Sequence, residues 1–349
     1  MKSVINASCN ASCVFLWRAI PARHLSRPLQ ATLKNASCVF LLLVSVCCAA
    51  QPRQMLAGNL SSAGSDTLAN LMSFWAADFS QYYPGVNLQI QAAGSSSAPT
   101  SLASGAAQLG PMSRAMKSSE IDAFVQHYGY PPLAVPVAMD ALVVLVNQDN
   151  PLPGLSLSQL DAVFSMTQRC GGRKPIKNWG DLGLSRDWET RAILRYGRNS
   201  ASGTYGFFKQ RALCGGDFLP QVNELPGSAS VVQAIAASTN AIGYASVGFR
   251  TSGVRMVPLA SEGTDYVFPS TENIRSGLYP YTRYLYIYVN KEPGQPLEAL
   301  TAAFLERVLS DIGQSLVSQD GYLPLPEETR QLTRLQLGLS ESQMPAFAH

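Results

Sequence analysis

The sequence predicts an α/β protein of two lobes, with the chain crossing between them more than once. Three observations support this. Strand, short glycine- or serine-rich turn and helix recur along the chain, the rhythm of βα units and parallel strands. The run VPVAMDALVVLVN at 135–147 is 13 residues long, too long for one strand of a small sheet, and reads as a connection between lobes. The 349 residues are 46% hydrophobic and 14% charged, enough for about two cores and too poor in charge for a disordered chain.

The elements follow in order. Residues 59–63 read as a strand that runs into Gly64-Ser65-Asp66-Thr67. A helix follows, because Leu68, Leu71, Met72, Trp75, Phe79 and Tyr82 recur every three or four residues, and Pro84-Gly85 stops it. Val86, Leu88, Ile90 and Ala92 alternate as a strand that meets Gly94-Ser95-Ser96-Ser97, with a short helix at 99–104. A third strand, 107–112, ends in Ser113-Arg114, and a small helix at 118–127 leads to Pro131-Pro132. Beyond the long run, 151–164 reads as turn and helix, 176–179 as an extended piece, and 192–196 as a strand. That strand ends in the turn 197–204 and opens a helix at 205–214. Ser228 or Ser230 caps a helix through 237; 241–245 is a strand, 284–289 a second β run and 297–309 a helix. The lobes so defined are 58–138 plus 281–349 for the first and 139–280 for the second.

Charge and cysteine are unevenly spread. Of 26 lysines and arginines, five (Lys2, Arg18, Arg23, Arg27, Lys34) lie in residues 1–50, which hold no acid. The remaining 21 face all 23 acids, so the body is near neutral despite a formal net charge of +3, which argues against nucleic-acid binding by charge. The stretch 38–50 is apolar or small and too short to span a bilayer, so residues 1–50 read as a signal peptide cleaved before Gln51. A lipid anchor on Cys47 or Cys48 is the alternative, although Val46 or Cys47 before them is bulkier than lipoprotein processing accepts. Asn-Ala-Ser-Cys recurs at 6–9, 10–13 and 35–38 without a functional reading, and a start codon assigned too early would account for it. Cleavage leaves Cys170 and Cys214, an even count that in an exported chain reads as a disulfide, with two buried thiols as the alternative.

The chemical inventory is poor for an enzyme. Of three histidines, His24 lies in the leader and His349 at the end of the chain, leaving His127 in a polar stretch. No GxSxG, HExxH, GxGxxG or GxxxxGK[ST] motif appears in the body, and no cysteine spacing suggests zinc. Neither a metal nor a cofactor is expected. A hydrolase built on a serine or aspartate near Arg198 would lack its base.

Three segments share one design, strand, Gly/Ser/Thr run and helix: 64–67, 94–97 and 200–204. A helix N-terminus offers unpaired N–H groups and partial positive charge, glycine lets a ligand approach, and hydroxyls add neutral donors. Arg114 and Arg198 stand at strand ends beside these turns, and arginine grips tetrahedral oxyanions bidentately. Each loop taken singly is an ordinary N-cap. Together with two arginines they point to an anion site.

On these residues the chain resembles the phosphate-binding proteins of bacterial ABC phosphate importers, over 58–330. Arg198-x-x-x-Ser202-Gly203-Thr204 opening a helix matches that family's main signature, with Gly94-Ser95-Ser96 and Gly64-Ser65-Asp66-Thr67-Leu68 as its other loops. Landmarks outside binding also agree: 227–232, Asn240-Ala241-Ile242-Gly243-Tyr244, Tyr279-Pro280-Tyr281-Thr282-Arg283 and the strand 285–290. The resemblance implies a type II periplasmic-binding-protein fold with a hinge and an interlobe cleft, and a monomer that hands phosphate to a membrane permease without chemistry. It implies ligand contacts from Ser65, Asp66, Thr67, Ser95, Arg198, Ser202, Gly203 and Thr204. Arg114 joins them if it faces the cleft, and Ser96 and Asp140 are further candidates. Two family aspartates are missing: Arg114 follows Ser113 where one stands, and Ser200 replaces the other. Phosphate keeps a proton at neutral pH and sulfate does not, so a carboxylate in the cleft selects phosphate. Asp66 is the expected replacement, or else a helix cap; Asp140 is second, or else pairs with an arginine at the hinge. The competing readings are a binder of sulfate, molybdate or an organophosphate, and a signalling or adhesion module on the same fold.

Overall fold

Two parallel strands begin the fold. β1 (Ala57–Ala63) and β2 (Gly85–Gln91) pair from Ala57↔Gly85 to Ala63↔Gln91, with the helix Ala69–Tyr82 connecting them. Leu71, Met72, Trp75 and Phe79 of that helix are buried, as their spacing requires. A 3-10 turn (Ser95–Ser97), the helix Ala98–Ala103, β3 (Gly110–Met112) and the helix Ser118–Tyr128 lead to β4 (Leu133–Asn147). After β5 (Leu155–Ser156) and the helix Leu157–Phe164 come β6 (Leu194–Arg198), the helix Gly203–Ala212, β7 (Val222–Leu225) and the helix Ser228–Ala236. β8 (Ala241–Ser246), β9 (Val254–Val257), β10 (Leu259–Ala260), the helix Thr271–Arg275 and β11 (Thr282–Val289) follow. Three helices close the described chain: Ala299–Val308, Asp311–Gln319 and Glu327–Leu337. The structure is a computed structural model that describes residues 56–339 apart from Glu262. The expected leader, Cys47, Cys48 and His349 fall outside the described residues.

β4 organises the rest. From Leu133 to Ala141 it pairs antiparallel with β11, and from Leu142 to Val146 with β8, while β9 takes its other edge from Val144 to Asn147. Its partners therefore change between Ala141 and Leu142. Pro136 sits where the β4–β11 register shifts, a place where a ladder tolerates a residue without an N–H. Leu142–Val146 are wholly buried, because this segment is covered on both faces and needs no polar alternation. The sheet runs β3-β11-β4-β8-β6-β7.

The fold is α/β as expected, yet the strands are mixed in direction. β1 with β2, and β6 with β7 and β8, are parallel; β4 is antiparallel to β11, β8 and β9, and β3 to β11. The piece at 176–179 joins no long strand, but Asn178 is extended and bridges Ala192. It enters the 3-10 turn Trp179–Leu182, fixed by the Asp181 carboxylate, which accepts from the Lys177 and Asn178 amides. Ser230 caps nothing, and the helix begins at Ser228 itself. The helices Asp311–Gln319 and Glu327–Leu337 and the strands β7 and β9 go beyond the sequence expectation. Cys170 and Cys214, 44 positions apart in sequence, form a disulfide with Cα atoms 5.2 Å apart. Closing a loop of this length stabilises by about 4 kcal/mol in the chain-entropy account. No described helix is long and apolar enough to cross a membrane.

Candidate functional site

The turns after β1, β2 and β6 meet. Gly94 N–H donates to Gly64 O (2.8 Å) and Ser96 N–H to Ala201 O (3.2 Å), so the second loop touches both the first and the third. Gly94 has φ 110°, and a Cβ there would stand 2.6 Å from Ala201 O; only glycine permits both the conformation and the approach. Gly203 is tighter still. A Cβ on it would lie 2.3 Å from Ser95 Oγ and 2.5 Å from Ser113 Oγ.

Hydroxyls line this junction. Ser65 Oγ accepts from the Thr67 amide (3.1 Å), and Ser202 Oγ accepts from the Thr204 amide (3.1 Å), which caps the helix Gly203–Ala212. Thr67 Oγ1 and Thr204 Oγ1 are hydrogen-bonded at 3.1 Å. Ser95 Oγ accepts from Ser113 N–H (3.0 Å) and lies 3.3 Å from Ser113 Oγ. Ser65, Thr67, Ser95, Ser202 and Thr204 are all buried. Burying so many hydroxyls is tolerable because each has a partner.

One ion pair spans the junction. Arg198, at the end of β6 and wholly buried, places Nη2 on Asp66 Oδ2 and donates from Nη1 to Ser228 Oγ (2.7 Å). Its backbone N–H donates to the Tyr244 hydroxyl (3.3 Å). Burial pushes the Tyr244 phenol far above its ordinary range, so it remains protonated. Tyr244 stacks on Phe208 at 3.9 Å, which packs β8 against the helix Gly203–Ala212. Two atoms of the ion pair keep free capacity: Asp66 Oδ1, an acceptor, and Arg198 Nε, a donor, are buried without hydrogen-bond partners among the described residues.

The other candidates border the junction with partners of their own. Arg114 is held by a bidentate pair with Glu120, 2.7 Å at each nitrogen, and Nη1 also donates to Ala115 O (3.0 Å). Its aliphatic stem borders Gly206 of the helix that opens at Gly203. Ser96 is exposed and meets the third loop through its backbone alone. Asp140 is wholly buried and paired with Arg283 (2.7 Å), the arginine partnership expected as its alternative. Its second oxygen accepts from Ser246 Oγ (2.6 Å) and the Val247 amide (3.3 Å). His127 is exposed on the last turn of the helix Ser118–Tyr128.

Sequence reasoning missed several supports. Ser113, Ser228, Tyr244, Arg283 and Tyr322 all bond to the junction. The Tyr322 hydroxyl donates to Thr67 O (2.8 Å), and burial raises this phenol's pKa well above its usual value, with the Asp140 charge adding to the effect. Ser228, Tyr244 and Arg283 belong to the landmark strings that the family resemblance picked out. Nothing in the pattern marked Tyr322.

Chemically, the junction offers hydroxyl donors, a helix N-terminus, a guanidinium and one carboxylate acceptor. It holds no nucleophile–base pair, and no group of three His, Cys, Asp or Glu among the described residues is placed to hold a metal. A small oxyanion that carries a proton complements this set.

Comparison with known proteins agrees. The family model described as the PBP superfamily domain matches residues 49–311. The chain is 55% identical over 285 residues to the phosphate-binding protein PstS of Pseudomonas aeruginosa, covering 81% of this chain and 88% of that protein. Among solved structures it is similar to an ABC-type phosphate transport receptor from Vibrio cholerae. The TM-score is 0.60 at 23% identity, over 76% of this chain and all of that one. It is also similar to a high-affinity periplasmic phosphate-binding protein, PfluDING, solved with phosphate, at TM-score 0.61 and 14% identity over 80% of this chain and 93% of that one.

Proposed function

For a chain that belongs to the PBP superfamily, and within it to the PstS phosphate-binding proteins, we propose that the junction of the three loops is a phosphate site serving an ABC importer. The chain binds inorganic phosphate and delivers it to a membrane permease. Ser65, Asp66, Thr67, Ser95, Arg198, Ser202, Gly203 and Thr204 make the contacts in this reading. Arg114, committed to Glu120, buttresses the helix Gly203–Ala212 instead.

The observation behind it is the pairing of Asp66 with Arg198, each with one unpartnered buried atom. Asp66 Oδ1 can accept the proton that phosphate keeps at neutral pH, while Arg198 Nε and the hydroxyls donate to its bare oxygens. Sulfate has no proton to give, and a carboxylate aimed at it repels.

In this reading the lobes are 58–138 with 281–349, of which 340–349 lie outside the described residues, and 139–280; the exchange of β4 partners after Ala141 supports a hinge there. Anion contacts from both lobes stabilise the closed form. Export to the periplasm agrees with a disulfide between Cys170 and Cys214, since such bonds persist in oxidising compartments.

A thermal-shift panel on the protein from Gln51 onward tests the reading. Phosphate is expected to raise the midpoint, and sulfate to raise it less. A larger shift with sulfate or molybdate would assign another oxyanion, and no shift with any oxyanion would refute the proposal.

A further inference from the structure

The landmark Tyr279-Pro280-Tyr281-Thr282-Arg283 has no part in the anion reading, yet it ends in a buried arginine. The Arg283 side chain is 3% exposed. Its Nε donates to Asp140 Oδ2 (2.8 Å), and its Nη2 lies 2.7 Å from the same oxygen and 2.9 Å from Thr204 Oγ1. Arg283 and Asp140 face one another in the β11–β4 register, one pair before the end of that ladder at Thr282↔Ala141. Ser246 and the Val247 amide hold the far oxygen of Asp140. The guanidinium is thus anchored where β4 changes partners and reaches into the first turn of the helix Gly203–Ala212.

This fixes the chemistry of Thr204. A threonine hydroxyl has one proton and two lone pairs. With a guanidinium N–H on one lone pair, Thr204 Oγ1 cannot donate back to Arg283, so its proton turns toward another acceptor. Accepting from a cation also polarises the O–H and strengthens it as a donor. Thr67 Oγ1, 3.1 Å away, marks the side on which the remaining capacity lies.

We propose that Arg283 is a positioning residue for the bound anion, acting through Thr204. It holds the Thr204 hydroxyl as a donor to phosphate and couples that donor to the β4–β11 crossing. The inference rests on the phosphate reading above.

The bland role for Arg283 is to neutralise Asp140, and a set of variants separates the two. Phosphate affinity is measured by calorimetry for the wild type, Arg283→Gln, Thr204→Val and their combination. The pair Asp140→Asn with Arg283→Gln is added, because it removes both charges and leaves no unpaired carboxylate. Thermal midpoints check that each variant folds. Arg283→Gln and the charge-free pair are each expected to bind phosphate on the order of tenfold more weakly, as for the loss of a hydrogen bond to a charged group. In the Thr204→Val background the Arg283 substitution is expected to add nothing. A charge-free pair that binds like the wild type, or Arg283 and Thr204 losses that simply add, overturns the inference. A wild type indifferent to phosphate would sink the phosphate reading first, and so is told apart from failure of this step alone.

Discussion

In the proposed phosphate site, Asp66 concentrates the selectivity in one oxygen. Oδ2 is taken by Arg198, while Oδ1 is buried without a partner among the described residues. Asp66→Asn would put an amide there, which can turn a donor toward the ligand. Phosphate affinity is expected to drop by about tenfold or more, with sulfate dropping less, so that the ratio between them narrows. Competition calorimetry reads that ratio, and an unchanged ratio would remove Asp66 from the selectivity argument. At this scale the sequence was informative wherever a motif is contiguous. Ser65 to Thr67, Ser95 and Arg198 to Thr204 stand on neighbouring turns, so strand–turn–helix logic found them. The contacts of Arg283 and Tyr322 with the junction were not legible, because they reach Thr204 and Thr67 from 79 and 255 residues away, and no local pattern encodes such a meeting.

Among the elements, the helix Ser118–Tyr128 shows how a residue with one expected role takes another. Glu120 accepts from the Lys117 amide (2.8 Å) at the start of that helix while both oxygens hold Arg114. Burial alone would raise the Glu120 pKa, but the Arg114 hydrogen bonds and charge and the Lys117 amide outweigh it and hold it below its ordinary 4.5. A depressed folded-state pKa means that the stabilisation is complete above the unfolded value. It fades as pH falls through the lower folded value. As pH falls below the ordinary glutamate value of 4.5, hydrogen exchange at the start of this helix is expected to accelerate before exchange in β4 does. Glu120→Gln should abolish that early phase. An identical acid profile in the variant would show that the pair contributes nothing there. An arginine next to three anion loops suggested a ligand contact; a glutamate six residues on, one helical turn inside, was the overlooked signal.

For the whole molecule, the proposed closure on phosphate requires contacts on both sides of the β4 crossing. Saturating phosphate is therefore expected to slow amide exchange at 94–97, at 199–204, and at the exchange point of partners around 139–142 and 282–285. The helix Ser118–Tyr128 should change little. Protection restricted to a single loop would argue against a hinge. The α/β architecture was legible from the βα rhythm, whereas the run at 135–147, read as too long for one strand, lies within the single strand Leu133–Asn147, which changes partners along its length. Strand direction was not, because β11 arrives from far along the chain and its pairing depends on tertiary contacts that periodicity does not record.

That late arrival also bears on biosynthesis. Leu133–Ala141 finds its ladder partner only when Thr282–Val289 exists, about 140 residues later. A nascent chain emerging from the ribosome therefore cannot complete its first half in order of synthesis, and non-local strand pairing of this kind is slow even afterwards. In the export reading proposed above, slow maturation lengthens the interval in which the polypeptide is loose enough to be threaded through a secretion pore.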